Sequence, residues 1–88
     1  MKQPANDASR EVESFEVCGP NACVYPKSYE AAINQAIRFM PKDGDRATVT
    51  MLCDDGHEIP AAEGMRDGAE IFWEYKKTWD ELEKEMAE

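Results

Sequence analysis

Residues 47–59, ATVTMLCDDGHEI, decide the fold because they combine a strand pattern with a turn signal. Every second position in the first half of this stretch is small or apolar: Ala47, Val49, Met51 and Cys53. Such alternation predicts a strand with one face in a core. Asp55-Gly56 then predicts a two-residue hairpin turn, after which HEI returns as a short strand that Pro60 ends. An antiparallel sheet is therefore at the centre of the predicted fold.

The segment before this strand predicts a hairpin followed by a helix. ESFEVC and CVYP, residues 13–18 and 23–26, flank a Gly-Pro-Asn-Ala turn as two short antiparallel strands do. Ser28 is a good helix N-cap, and an apolar stripe with helical spacing follows it: Tyr29, Ala32, Ile33, Ala36, Ile37 and Met40. Pro41 ends this helix.

The last part of the chain predicts a long helix after a loop at residues 61–68. Apolar residues recur there at alternating spacings of three and four: Phe72, Tyr75, Trp79, Leu82 and Met86. The predicted order is β-β-α-β-β-α, an α+β fold with a small antiparallel sheet and two helices packed on it. We expect residues 1–12 to be a mobile N-terminal tail and residues 13–88 to be a single domain that ends in this long acidic amphipathic helix.

Charge is the strongest functional signal in the sequence. The 88 residues carry a net charge of −9, and residues 54–88 hold twelve acids against four bases. Such a field repels nucleic acid and anionic membranes and speeds association with basic surfaces. No apolar run approaches the length that spans a bilayer, so we expect a cytoplasmic protein, and the odd number of cysteines favours reduced thiols. The predicted partner is a protein with a basic surface, and no direct nucleic-acid or membrane binding is expected.

Three cysteines and the single histidine raise the question of a metal site. Together Cys18, Cys23, Cys53 and His57 would be an acceptable zinc ligand set. Their spacing is wider than that of a tight zinc knuckle, and a two-residue turn would point Cys53 and His57 to opposite faces. We therefore favour Cys53 as a small core residue and His57 as a solvated turn residue, with a Cys18–Cys23 disulfide as a further alternative. No cofactor is expected.

The residue pattern does not favour an enzyme. Cys53 with His57 as its base lacks a third, orienting group, and the sequence contains no phosphate-binding loop or dinucleotide fingerprint. The acids of the predicted last helix and of the DDG turn are instead candidates for partner binding, and Trp73, which lies off the apolar stripe, is a candidate anchor. The predicted partner-binding residues are Asp54, Asp55, Glu70, Trp73, Glu74, Asp80, Glu81 and Glu85. The spacing from Phe72 to Met86 is also typical of a short coiled coil, so homodimerisation is a second interpretation.

The SYEAAINQAI helix after a hairpin, the ATVTMLCDDGHE strand and turn, and the acidic carboxyl-terminal half resemble the small phage-encoded inhibitors of bacterial defence, the anti-CRISPR proteins and DNA mimics. The resemblance covers size, charge and element order. It implies a non-catalytic inhibitor whose carboxylates occupy the basic channel where a nuclease or CRISPR complex holds nucleic acid. The alternative is a small accessory interaction domain, stabilised by zinc at the four residues named above.

Overall fold

The computed structural model describes residues 11–87 as an α+β fold. Its elements in chain order are β1 Val12–Cys18, β2 Cys23–Val24, α1 Tyr29–Arg38, β3 Arg46–Cys53, β4 Glu58–Asp67, β5 Glu70–Lys76 and α2 Trp79–Ala87. Neighbouring strands are antiparallel in the order β2-β1-β3-β4-β5. This confirms the predicted fold class. The predicted mobile tail lies outside the described residues except for its last two, of which Val12 already belongs to β1.

The alternation along β3 separates the two faces of the sheet. The predicted inward residues of β3 are buried, and they lie beside Phe15 and Val17 of β1. Both helices pack on this covered face, where α1 buries Ala32 and Ala36 and α2 buries Leu82. The alternate residues of the strands point away from the helices, and we call their side of the sheet the open face. The fold is thus a helical layer on one face of a sheet.

The β3–β4 turn is one residue longer than predicted. Leu52 pairs with Glu58, and the Cys53 amide donates to the His57 carbonyl at 2.9 Å. The turn residues between them are Asp54, Asp55 and Gly56, and Gly56 has φ +93°. Since that conformation suits glycine, a three-residue hairpin loop forms and the predicted two-residue turn is wrong.

β4 replaces the predicted short strand and the loop after it. Pro60 does not end the strand, because it pairs with Thr50 at a register shift that leaves Ala61 as an extra residue. A bulge is one of the few places where a sheet accepts proline. The strand therefore runs on to Asp67, and its alternation of buried and more exposed residues is interrupted at the bulge, where Ala61 and Ala62 are both buried.

The predicted long acidic helix is wrong, since its first half is a strand. Gly68, with φ +64°, begins a two-residue turn, and Glu70 pairs with Asp67 across it. β5 then carries Ile71, Phe72 and Trp73, residue types that favour strands. The spacing of three and four arises because the chain passes from a strand that contains a bulge into the short helix α2. Among the described residues, neither helix has the length and apolarity that a membrane-spanning helix requires.

Candidate protein-binding surface

The residues of the predicted zinc set lie at two ends of the sheet. Cys18 is bonded to Cys23 in a disulfide, and Cys18 pairs with Thr48. Cys53 lies five residues further along β3, about 17 Å away at the usual rise of a strand. The four residues cannot share one ion, so the zinc alternative is wrong. The expectation of reduced thiols is also wrong for Cys18 and Cys23, which form the disulfide that was the further alternative.

Cys53 and His57 lie in different environments. Cys53 is 3% exposed and belongs to the core cluster, as predicted for a small core residue. The His57 side chain is exposed, and its Nδ1 lies 3.2 Å from a carboxylate oxygen of Asp55. Among residues 11–87, one group of three Cys, His or acidic residues has its possible metal-ligand atoms within 4.8 Å of one another. It consists of Glu16, Cys18 and Cys23, and the two sulfur atoms are bonded to each other.

The predicted partner-binding acids do not form one cluster. Asp54 and Asp55 lie at the β3–β4 turn, whereas Glu70 lies at the β4–β5 turn, so the length of β4, about 30 Å, separates them. Asp54 Oδ1 accepts a hydrogen bond from the Glu11 amide at 3.2 Å. Asp55 Oδ1 accepts one from the His57 amide at 3.0 Å. These two aspartates thus order the turn and its neighbouring strand.

Two of the predicted acids in α2 have local structural partners. Glu81 and Thr78 form a capping box, with the Thr78 amide donating to Glu81 at 2.8 Å and the Glu81 amide donating to Thr78 Oγ1 at 3.2 Å. Glu85 pairs with Lys77 at 2.7 Å. The side chains of Glu70, Glu74 and Asp80, by contrast, are exposed and make no hydrogen bond or ion pair with residues 11–87.

Trp73 lies on the covered face and is half-buried. Its ring lies against Gly64, the residue opposite it on β4, where an added Cβ would come within 2.8 Å of Trp73 Cε3. Lys76 Nζ lies 5.3 Å from the centre of the same ring. The tryptophan therefore closes the β5 end of the core, and its role as a partner anchor stays a prediction.

Tyr29 links α1 to the segment between β5 and α2. Its hydroxyl donates to the Lys77 carbonyl at 2.7 Å. Its ring packs with Phe15, 5.5 Å between centres, and with Trp79, 6.3 Å between centres. Burial and, after it, the negative charge of Glu81 raise the pKa of Tyr29 above its usual value near 10. The fold therefore favours the neutral form of the Tyr29 hydroxyl.

The open face of the sheet gathers four acidic residues that the sequence pattern did not indicate, together with Glu70, which was among the predicted partner-binding residues. Alternation from the paired residues places five carboxylates on this face: Glu16, Glu58, Glu63, Asp67 and Glu70. Arg46 is the cation that the same register places there, 3.5 Å from Glu63. Within residues 11–87, the strands thus give this face a charge of about −4. The signal in the sequence was hidden because the bulge at Ala61 shifts the alternation along β4.

Two large aromatic side chains accompany these carboxylates. Tyr25 and Phe72 are each 55% exposed. The Tyr25 hydroxyl donates to Glu16 at 3.0 Å, and this hydrogen bond with the charge of Glu16 raises the pKa of Tyr25. Phe72 pairs with Met65 at the other side of the open face. Exposed aromatic rings are frequent anchors of protein interfaces, so this face is a candidate protein-binding surface.

Comparison with known proteins found no match: no protein-family model, no curated protein and no solved structure is similar to this chain. The function therefore has to be inferred from the surface itself.

Proposed function

We propose that this protein is a non-catalytic inhibitor that binds a basic surface of a protein partner, as the anti-CRISPR proteins and DNA mimics that it resembles do. The observation that carries the proposal is the open face, where five carboxylates accompany one guanidinium and two exposed aromatic rings. The partner is a nucleic-acid-binding nuclease or CRISPR complex, whose phosphate-binding groove is lined with Lys and Arg.

The sheet holds these carboxylates in a fixed array. Residues on one face of a strand are two positions apart, about 7 Å along the chain, and neighbouring strands lie about 5 Å apart. A basic groove therefore meets carboxylates whose backbone positions are set before binding, which lowers the entropy cost of association. Phe72 supplies exposed apolar area beside the charges. Electrostatic attraction would speed the encounter, and the aromatic contact would slow dissociation.

A catalytic function has less support from the described residues. A surface depression of about 430 Å³ lies between the β1–β2 turn and the start of β3, where Asp45, Arg46 and Glu63 are its charged lining residues. Cys18 also lines this depression, but its sulfur is bonded to Cys23 and is therefore not a thiolate nucleophile. Binding through the open face needs no such group.

The proposed place of action is the cytoplasm, where nucleases and CRISPR complexes work. That compartment keeps most thiols reduced, so a structural disulfide is uncommon there. Trapping the thiols with an alkylating reagent in intact bacteria, followed by mass spectrometry, will give the oxidised fraction of Cys18 and Cys23 in cells. A wholly reduced pair would show that the disulfide does not form in the cytoplasm.

A small accessory domain with apolar partner contacts is the second candidate. The exposed ring of Phe72 beside Met65 favours it. The two candidates differ in their response to salt, because screening weakens contacts between exposed charges and leaves apolar contacts largely intact.

A tagged pull-down from bacterial lysate, eluted in steps of increasing salt, will identify the partner and its salt sensitivity. The charge claim is then tested by measuring the partner's affinity for Glu58→Gln/Glu70→Gln and for the control Glu30→Gln/Glu83→Gln. All four side chains are exposed, and each pair removes two charges, but only the first pair is on the open face.

We expect the open-face pair to lose about tenfold in affinity at ~0.1 M salt and the control pair to lose less than about twofold. Competition by DNA or RNA for the same partner would support nucleic-acid mimicry. Equal losses for the two pairs, or a partner that salt does not release, would contradict the proposal and favour the accessory domain.

A further inference from the structure

β5 forms an edge of the sheet that no described residue pairs with. The sheet ends in β2 on one side and in β5 on the other. β2 has two residues and is tied to β1 by the Cys18–Cys23 disulfide, whereas β5 has seven residues. A long edge strand presents a row of backbone donors and acceptors to which another strand can pair, and proteins often shorten or cover such edges. The edge that this fold leaves long is β5.

The register identifies the backbone groups that point outward from β5. Asp67 and Glu70 close a two-residue turn, so they form a hydrogen-bonded pair. Alternation then directs the amide and carbonyl groups of Ile71 and Trp73 away from β4. The pairing with β4 is regular from Glu70 to Trp73 and shifts only beyond that point. This four-residue segment is the part of the edge that can accept a regular strand.

The charges around this segment favour a basic occupant over a second copy of the chain. Glu70 and Glu74 flank Trp73 and Phe72 with exposed carboxylates, and Asp67 lies opposite Glu70. A second copy would bring the same carboxylates and a further charge of −9 to the edge. Repulsion of this kind disfavours self-pairing, whereas Lys or Arg side chains on an incoming strand would be attracted.

We propose that the β5 edge accepts an extended basic segment of a protein partner as a sixth strand of the sheet. This inference rests on the proposed function and specifies how part of the partner is held. Backbone hydrogen bonds to Ile71 and Trp73 give the affinity, and the alternating side chains of the added strand contact the open and the covered face in turn. The exposed ring of Phe72 is the apolar contact on the open face.

The test uses the intact protein and an eight-residue peptide of alternating Lys and Val with blocked ends. Ile71→Pro removes the outward amide without removing a bond to β4, and proline is tolerated where an edge amide faces solvent. Ile71→Ala is the matched control, because it also loses the isoleucine side chain but keeps the amide. We expect Ile71→Pro to bind the peptide about fivefold or more weakly than Ile71→Ala, the effect of one lost hydrogen bond.

Two N-methylated peptides test the same point on the unchanged protein, one methylated at its lysine amides and one at its valine amides. An added strand pairs through alternate residues, so only one of the two should bind, and the peptide should slow hydrogen exchange at Ile71 and Trp73. Equal binding of both peptides, or equal affinity of the proline and alanine variants, would overturn the inference. Neither result would bear on the acidic-surface proposal, which the lysate pull-down tests separately. A dimer in sedimentation that Ile71→Pro makes monomeric would show that a second copy is the occupant.

Discussion

Gly64→Ala tests the contact that separates the observed structure from a long carboxyl-terminal helix. Gly64 lies on β4 with φ outside the left-handed region, so its backbone accepts alanine. The added methyl group would lie 2.8 Å from Trp73 Cε3, 3.0 Å from Trp73 Cζ3 and 3.1 Å from Ile71 Cγ2. Carbon atoms at these separations repel, so the Trp73 ring must move.

The size of the effect follows from two opposing contributions. Overpacking a core typically costs about 1–3 kcal/mol. Replacing glycine by alanine also reduces the conformational freedom of the unfolded chain, which stabilises the folded protein by about 0.4–1 kcal/mol. We therefore expect Gly64→Ala to lower the free energy of unfolding by about 1–2 kcal/mol, which at about 4–8 °C per kcal/mol lowers the Tm by roughly 5–15 °C. Urea denaturation monitored by tryptophan fluorescence measures the free energy of unfolding, and thermal denaturation monitored by circular dichroism measures the Tm.

The double variant Gly64→Ala/Trp73→Ala is the control that assigns the cost to this contact. Without the indole ring the methyl group has space, so Gly64→Ala should cost less than about 0.5 kcal/mol in the Trp73→Ala background. If residues 67–88 formed one helix, the ring would not lie over Gly64, and the substitution would be neutral or stabilising in both backgrounds. Equal costs in the two backgrounds would likewise refute the reasoning.

Three further predictions concern the hairpin, the tyrosine and the helix cap. Cys18→Ser/Cys23→Ser should lower the free energy of unfolding by about 2 kcal/mol, because the closed loop is short. A thiol reductant should lower the free energy of unfolding of the wild-type protein by a similar amount and leave that of the variant unchanged. Because the pKa of Tyr29 is raised, its contribution to stability is complete below pH ~10 and is lost as the pH rises through its folded-state pKa. Urea titrations between pH 8 and 11 should therefore show a decline in the free energy of unfolding that Tyr29→Phe reduces. An identical decline in the variant would contradict the buried, bonded hydroxyl. Thr78→Ala should lower the free energy of unfolding by about 1 kcal/mol through loss of the α2 cap. Thr78→Ser, which keeps the acceptor, should retain most of that stability.

Local sequence patterns predicted the secondary structure correctly where one interaction dominates a segment. The Ser28 side chain accepts from the Ala31 amide at 3.1 Å, and the apolar stripe after it supplies the buried Ala32 and Ala36 of α1. β3 alternates as its sequence does, because it is central and has one face in the core. The prediction of Cys53 as a core residue followed from that alternation.

Patterns failed where a bulge or a turn changed the period. Pro60 ordinarily ends a strand, but the extra residue Ala61 lets β4 continue past it. Phe72, Tyr75 and Leu82 have helical spacing although the first two lie in a strand and the third in α2. The candidate surface was missed for the same reason, since Glu58 and Glu63 share a face only when the bulge between them is counted.

The sequence by itself determined the fold class, the first helix, the central strand, the core position of Cys53 and the net charge, because each depends on residue type or on a local period. Tertiary structure alone decided which strand forms the exposed edge, that Cys53 lies at the other end of β3 from Cys18, and which carboxylates share the open face. These outcomes depend on the pairing of distant strands, whose register sets which residues become neighbours.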